Sequence, residues 1–569
     1  MSTEQKVTTP RELEEGAAST AAPSEHEHEK AVSTAHSKEE KEADIIAAYK
    51  EEADPTKAEG PETGLDDTDY PTGLRFWLVI TALWLVIFLV ALDQTIVSTA
   101  VPVITNNFNS FSDVGWYASA YLMTSTAFQP MAGRLYSLFS VKWVFFVCCF
   151  IFELGSLICA VAKDSSTFIG GRAVAGTGLA GLYVGAFVIV TMIAPLRLRP
   201  LLTSSMGAIY GIGACLGPII GGAFTSGSAG WRWCFWLNLV LYAPVVSFIV
   251  LFFKLPSYKQ DKVWYKRIAN IDYLGTALIL TAVVCILLVC QWGGIKYSWS
   301  DSKIIGLIVG FVVIWIAFWI DQYFQGENAT IPLRLFTHRT VGFGSAVNFA
   351  VASAYFSVLY YTPIYFQSVQ GSSAIRSGVQ TLPLVFAVIF AVTASGTIVN
   401  KTGHYIPSIF FGTAALALGC ASLAYLKPDS SQAFWCGTQF LTGFGAGWAW
   451  MLPFIAGSNA LAVQDIPVGS SIVTFFQVLG GTIFVSVGQA IFQNKFVLYL
   501  DHIPGANTQQ IVAHGVSAFR EFTPAELLPA VSEAANRAVT KTFIMSAVVA
   551  AVGFFATFGM ELNRKAAIQ

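Results

Sequence analysis

Residues 211–222 read Gly-Ile-Gly-Ala-Cys-Leu-Gly-Pro-Ile-Ile-Gly-Gly, inside an apolar run long enough to cross a bilayer. Gly213, Gly217 and Gly221 recur at i, i+4 and i+8, so one face of the predicted helix carries almost no side chains. Pro218 sits within that run and lacks a backbone donor, and glycine weakens a helix in water. Between membrane helices the same residues become useful, because small side chains let neighbouring backbones approach closely. Generic small-residue packing explains the glycines alone. The dense Gly-Pro-Gly-Gly arrangement points to a specialised transporter helix.

Composition agrees with a membrane setting. The 569 residues are 54% hydrophobic and 12% charged, against about 25% charged in soluble domains. The formal net charge of −2 hides an uneven distribution. Residues 1–73 hold 19 Asp and Glu against 7 Lys and Arg, a net of −12, and the rest of the chain carries +10. That segment is rich in Glu, Ser, Thr, Ala and Lys and poor in aromatics, which predicts a disordered acidic tail. It has no apolar core like that of a signal peptide, so the first span is expected to act as the targeting signal.

Nine cysteines lie in or against apolar spans and form no CxxC pair, so neither a disulfide framework nor a metal site is expected. The seven histidines fall in tails and loops, which argues against haem ligation. No GxxxxGK[ST] phosphate loop is present, so ATP is not expected to drive the protein directly. No cofactor, nucleic-acid partner or nucleophile constellation is visible, and the chain reads as a non-enzyme.

At about 20 apolar residues per crossing, the chain divides into fourteen predicted spans. Six occupy 76–253, two occupy 274–324 and six occupy 342–562, with a basic loop at 254–273, a long loop at 494–540 and a short tail at 563–569. A short amphipathic helix is expected around 525–537; the loop containing it either gates access or caps the surface. Lys254, Lys259, Lys262, Lys266 and Arg267 cluster after the sixth span, and Arg134, Lys142, Arg197, Arg199, Arg334, Arg339 and Lys401 share that side. Positively charged loops are cytoplasmic, so both termini are expected inside. The sequons at Asn328 and Asn400 then face the cytoplasm and stay bare.

Two segments repeat faintly. Gly133-Arg-Leu-Tyr-Ser-Leu-Phe-Ser-Val-Lys142 follows the second span, and Gly396-Thr-Ile-Val-Asn-Lys-Thr-Gly-His404 follows the tenth. Arg172-Ala-Val-Ala-Gly-Thr-Gly178 in the fourth span corresponds to Gln439-Phe-Leu-Thr-Gly-Phe-Gly445 in the twelfth. The expected fold is an all-α polytopic membrane protein of two six-helix halves with two inserted helices. Parallel repeats of this kind bind substrate at their interface and alternate access by rocking.

Asp93, Glu153 and Arg172 are the ionisable side chains well inside the early spans. Such a charge costs at least about 2.5–3.5 kcal/mol on insertion scales, which makes function the default reading. The first span runs outward and the fourth inward, so at about 1.5 Å per residue Asp93 and Arg172 both fall in the outer half of the bilayer. Burial favours the neutral acid and a neighbouring guanidinium favours the carboxylate. Asp93 poised between them suits proton binding and release, rather than a static pair locking two helices. Glu153 carries a proton, contacts a cationic substrate or stays neutral and hydrogen-bonded. The C-terminal half offers amides and aromatics in place of acids. The candidate cavity residues are Gln129, Asn348, Tyr360, Tyr361, Gln439, Trp448 and Gln477.

Together these residues resemble the major facilitator superfamily, in particular its fourteen-span drug:proton antiporter group. Leu92-Asp93-Gln-Thr-Ile-Val97 followed by Ala100-Val-Pro102 is similar to that group's first-span motif, and Arg172 through Gly178 to its fourth-span motif. Gly207, Gly211, Gly213, Gly217, Pro218, Gly221 and Gly222 resemble the fifth-span antiporter motif, and Gly230-Trp-Arg-Trp233 resembles the entry to the sixth span. One departure stands out. Where the family usually carries Asp-Arg and Gly-Arg pairs after the second span, this chain has Ser137-Leu138 and Ser140-Val141. The acidic tail, degenerate loop and long last loop resemble fungal exporters of mycotoxins and other secondary metabolites. The resemblance implies a monomeric plasma-membrane antiporter exchanging protons for small organic molecules. Proton-coupled siderophore uptake, vacuolar sequestration and a non-transporting sensor of the same fold are the alternatives.

Overall fold

In hydrocarbon, backbone donors and acceptors find partners only within helices or closed barrels, and this chain takes the helical solution. The computed structural model describes residues 73–561, apart from 109, 111–112, 196, 253–267, 269, 295–296, 506–507, 509–510 and 512–522. The expected acidic tail, nearly all of the basic loop, the last tail and much of the long loop lie outside the described residues.

The long helices are α1 (Leu74–Phe108), α2 (Val114–Leu138), α3 (Val141–Val161), α4 (Ser165–Ile193), α5 (Arg199–Ser226), α6 (Trp233–Phe252), α7 (Tyr273–Trp292), α8 (Ser302–Gln325), α9 (Arg339–Ile364), α10 (Ala374–Thr402), α11 (Ile406–Leu423), α12 (Gln432–Trp450), α13 (Ile466–Leu500) and α14 (Leu528–Thr557). After Met451, the segment Leu452–Ala460 continues α12. Twelve helices among the described residues are long and apolar enough to cross a membrane. The other two expected spans are α2 and α6. Serines, threonines and glycines dilute α2, and of the 20-residue apolar helix α6 only the side chains of Trp233–Tyr242 are among those described.

The last loop is shorter than its polarity implied. α13 runs on through Gln493, Asn494 and Lys495 to Leu500, and α14 starts at Leu528. The amphipathic helix expected around 525–537 is therefore the opening of α14 rather than a separate element. Pro529 fits its first turn, where no backbone donor is needed, and the Ala- and Glu-containing turn that follows sustains the helix.

Packing repeats between the first six and last six helices. α1 lies on α5 and α6, α4 on α2 and α3, and α3 on α6; α9 on α13 and α14, α12 on α10 and α11, and α11 on α14 reproduce the pattern. The two sets meet through α2 against α13 and α5 against α10. Two glycines make those contacts possible in matching ways. A Cβ on Gly133 would lie 2.9 Å from the Pro467 carbonyl and overlap Ser471, and one on Gly396 would lie 3.0 Å from the Pro200 carbonyl and overlap Ser204. Both contacts sit at the end expected to be cytoplasmic. α7 packs on α2 and α13, touching both sets, while α8 packs on α7. Only 11% of the apolar window of α8 is buried, so it presents most of its surface outward.

Candidate functional site

α5 meets α1 through the spaced glycines. A Cβ on Gly213 would stand 2.6 Å from the Phe88 carbonyl, on Gly217 2.9 Å from the Ile96 nitrogen, and on Gly221 2.5 Å from the Ile96 carbonyl. No side chain fits on that face, so α1 and α5 pack backbone to backbone. Gly207 and Gly211 point elsewhere, toward Val392 and Ile389 of α10, and so serve the contact between the two sets. Gly222 faces open space. One residue past Gly221 it lies about 100° around the helix, so it takes no part in the close contact expected of it.

Close packing holds α1 at the depth where Asp93 meets Arg172 of α4. Arg172 Nη1 donates to Asp93 Oδ2 at 2.8 Å, and the two side chains are 1% and 0% exposed. The other carboxylate oxygen accepts from Asn238 Nδ2 of α6 at 2.7 Å. Asn238 also reaches Ser156 Oγ of α3 at 3.3 Å. The guanidinium is held in turn by the Tyr117 carbonyl, 3.1 Å from Nε, and lies 4.0 Å from the centroid of the Tyr121 ring. Five helices thus converge on one ion pair. Removing one partner of such a pair leaves a buried charge, at a cost of about 3–5 kcal/mol.

Glu153 stands on α3 as an electrostatic neighbour of Asp93. Both of its carboxyl oxygens are buried and have no hydrogen-bond partner among the described residues. Of the candidate cavity residues, Gln477 lies between the two sets and accepts a 3.3 Å hydrogen bond from the Tyr183 hydroxyl of α4. Among the described residues no hydrogen bond joins it to the other candidates. Tyr361 is buried and donates to the Val485 carbonyl at 2.9 Å, Gln439 donates to the Gln380 carbonyl at 3.1 Å, and Trp448 packs on Phe411 and Phe444. These are contacts among α9–α13; Tyr361 and Gln439 are buried, whereas Trp448 packs on Phe411, which is 53% exposed, at the outer face. Tyr360 is 49% exposed and leans on Tyr361, and Gln129 and Asn348 are buried, each with an unpartnered amide oxygen among the described residues. Asn238 was missed by sequence reasoning, although an amide amid the apolar residues of α6 is itself a signal of an intramembrane partner.

A family model described as Major Facilitator Superfamily matches residues 83–485. The chain belongs to the Major Facilitator Superfamily. It is a multi-pass membrane transporter rather than an enzyme. It is 39% identical over 508 residues to the MFS-type efflux pump MFS1 of Arthroderma benhamiae, covering 89% of this chain and 95% of that one. It is 37% identical over 495 residues to the efflux pump aflT of Aspergillus parasiticus, covering 86% and 96%. With the rubrofusarin-specific efflux pump aurT of Gibberella zeae it shares 38% identity over 497 residues, covering 87% and 91%. Among solved structures, the transporter FucP in its outward conformation matches with a TM-score of 0.54 at 14% identity, covering 86% of this chain and all of that one. That likeness is one of fold. The superfamily's transporter architecture and the efflux relatives together make this a transporter that exports small molecules.

Proposed function

We propose that this transporter is a proton-coupled antiporter of the fourteen-span drug:proton group, which exports small organic molecules such as secondary metabolites across the plasma membrane. Both termini are cytoplasmic in this reading. The observation that carries it is the fully buried Asp93–Arg172 pair, with Asn238 on the second carboxylate oxygen. A carboxylate in that setting can exist with its proton, released from Arg172, or without it, bound to Arg172. The two forms favour different placements of α1 against α4. That difference is what a proton gradient needs in order to drive alternating access.

Arg172 sets the balance between the two forms, and Glu153, without a hydrogen-bond partner among the described residues, provides a second place for a proton close to Asp93. The glycine face of α5 keeps α1 and α5 together as one body while the pair opens and closes. Contacts at Gly133 and Gly396 fasten the two six-helix sets at the cytoplasmic end, which in this reading is the outward-facing state.

The test is transport in proteoliposomes carrying an imposed pH gradient, with cargo first identified by profiling medium and cells after deletion of the gene. Asp93→Asn should abolish gradient-driven export and leave the protein folded. Undiminished export by that variant would refute the assignment.

A further inference from the structure

One polar contact near the ion pair belongs neither to the pair nor to the glycine face. The Tyr210 hydroxyl of α5 donates to Gln94 Oε1 of α1 at 2.5 Å, with both side chains half-buried. Gln94 directly follows Asp93, so its side chain leaves α1 about 100° around the helix from the carboxylate. The Tyr210 ring meets the Tyr183 ring of α4 edge-on, with centroids 6.2 Å apart. The Tyr183 hydroxyl then donates across the boundary between the two sets to Gln477.

These contacts have a mechanical consequence. α1 and α5 form one body, because the glycine face allows no slack between them. α4, in the same six-helix set, packs against that body as a second one and carries both Arg172 and Tyr183, separated by about 16 Å along its axis. The bond from Asp93 to Arg172 and the contact from Tyr210 to Tyr183 therefore join the same two bodies at two heights. A shift that breaks the first also moves the second, and the second rests against the bond to Gln477.

We infer that Gln94 and Tyr210 are positioning residues that convey the state of the Asp93–Arg172 pair to the Tyr183–Gln477 bond between the two sets. This rests on the reading of Asp93 as the proton carrier. Only position is conveyed, and no proton travels along the route. The groups facing Asp93 from neighbouring helices are Arg172 of α4, Tyr121 of α2, Glu153 and Cys159 of α3, and Cys234 and Tyr242 of α6. Gln94 lies on none of these helices. It offers a neutral link to α5 that the charged and hydroxyl groups around the pair do not supply.

The experiment needs no cargo. Genetically encoded, cysteine-independent spin labels are placed at the exposed positions 163 and 376 of the full chain in lipid nanodiscs. Their distance distribution is read by pulsed electron resonance at pH 5 and pH 8. The unsubstituted chain should shift between the two pH values, and Asp93→Asn should give one distribution at both. Tyr210→Phe, which removes a single oxygen, and Gln94→Leu should each reduce the shift at least about twofold. The double variant should lose no more than the larger single loss, as two ends of one link require. A full shift in both single variants, with none in Asp93→Asn, overturns the link and leaves the proton site standing. A shift that survives in Asp93→Asn, or no shift in the unsubstituted chain, overturns the proton reading and the link with it.

Discussion

Asn238 holds the carboxylate oxygen of Asp93 that Arg172 leaves free, with Nδ2 and Oδ1 2.7 Å apart. A single guanidinium nitrogen on one oxygen would leave half of a buried carboxylate without a donor. The amide completes it and ties α6 into a site otherwise built from α1, α2, α3 and α4. Asn238→Ala should therefore cost about 1.5–3 kcal/mol, the range for a hydrogen bond to a charged group. Thermal unfolding of the purified protein should show the loss, and export should fall with it. An unchanged unfolding temperature would mean that the amide contributes no net stability to the site.

Gly217 and Gly222 belong to one motif but not to one surface. A side chain at Gly217 would collide with Thr95 and the Ile96 backbone, whereas one at Gly222 meets nothing within 4 Å. Gly217→Leu should separate α1 from α5, costing at least about 1–3 kcal/mol by overpacking, and should end export. Gly222→Leu should stay within about 0.5 kcal/mol of the parent, as surface substitutions do. Measuring surface expression and export for the two variants side by side checks the contrast. Equal damage from both would show that the motif acts through more than this contact.

How far the site was legible follows from the same residues. The i, i+4, i+8 spacing of Gly213, Gly217 and Gly221 is a helical regularity, so it announces a close-packed face without saying which helix lies there. Asp93 and Arg172 could be paired by depth, because rise per residue and span direction follow from the chain alone. Gly207 and Gly211 against α10, and Tyr183 against Gln477, join helices from different six-helix sets. No periodicity in either segment encodes such a meeting. Tyr361 shows the opposite failure. An intramembrane aromatic suggests a cavity, yet here its hydroxyl is consumed by the Val485 carbonyl in the interior of the bundle.

The family's charged pairs after the second span are replaced here by Ser137-Leu138 and Ser140-Val141, and an ion cluster stands nearby on other segments. Arg334 donates from Nε to Glu327 at 2.9 Å and from Nη1 and Nη2 to Asp465, each at 3.1 Å. Arg134 reaches the same region through Asn328 at 3.3 Å. The Arg334 and Glu327 side chains are 54% and 68% exposed, so each pair is expected to contribute only about 0.2–1 kcal/mol. Arg334→Gln should lower the unfolding temperature slightly at low salt. The difference from the parent should shrink toward zero near 1 M salt as screening takes over. A difference that does not depend on salt would assign the effect to packing of the Arg334 stem.

Asp164 caps α4, accepting from the Thr167 amide at 2.8 Å and from the Thr167 hydroxyl at 2.9 Å. These bonds, the backbone one foremost, hold its carboxyl below the usual carboxylate value. The folded value lies below the unfolded one, so the stabilisation is complete above the unfolded value of about 3.9. It is lost as pH falls through the lower, folded value. Comparing the unfolding temperature of Asp164→Ala with the parent from pH 7 downward should give a constant gap that closes only under strongly acidic conditions. A gap already closing at pH 6 would exclude the cap as its source.

The sequons supply a direct check on orientation. Asn328 lies just past α8 and Asn400 in the last turn of α10, on the side where Arg134, Arg334 and Lys401 gather. If that side is cytoplasmic, neither asparagine meets the glycosylation machinery. The first sequon is also tied into the fold. The Thr330 hydroxyl donates to Asp272 Oδ2 at 2.9 Å and its backbone amide donates to the same oxygen at 3.0 Å, with Thr330 only 1% exposed. Expressed in a eukaryotic host, the protein should run at the same mobility before and after endoglycosidase treatment, as should Asn328→Gln and Asn400→Gln. A mobility shift abolished by either substitution would place that side outside, invert the topology, and put the Gly133 and Gly396 contacts at the opposite face of the membrane.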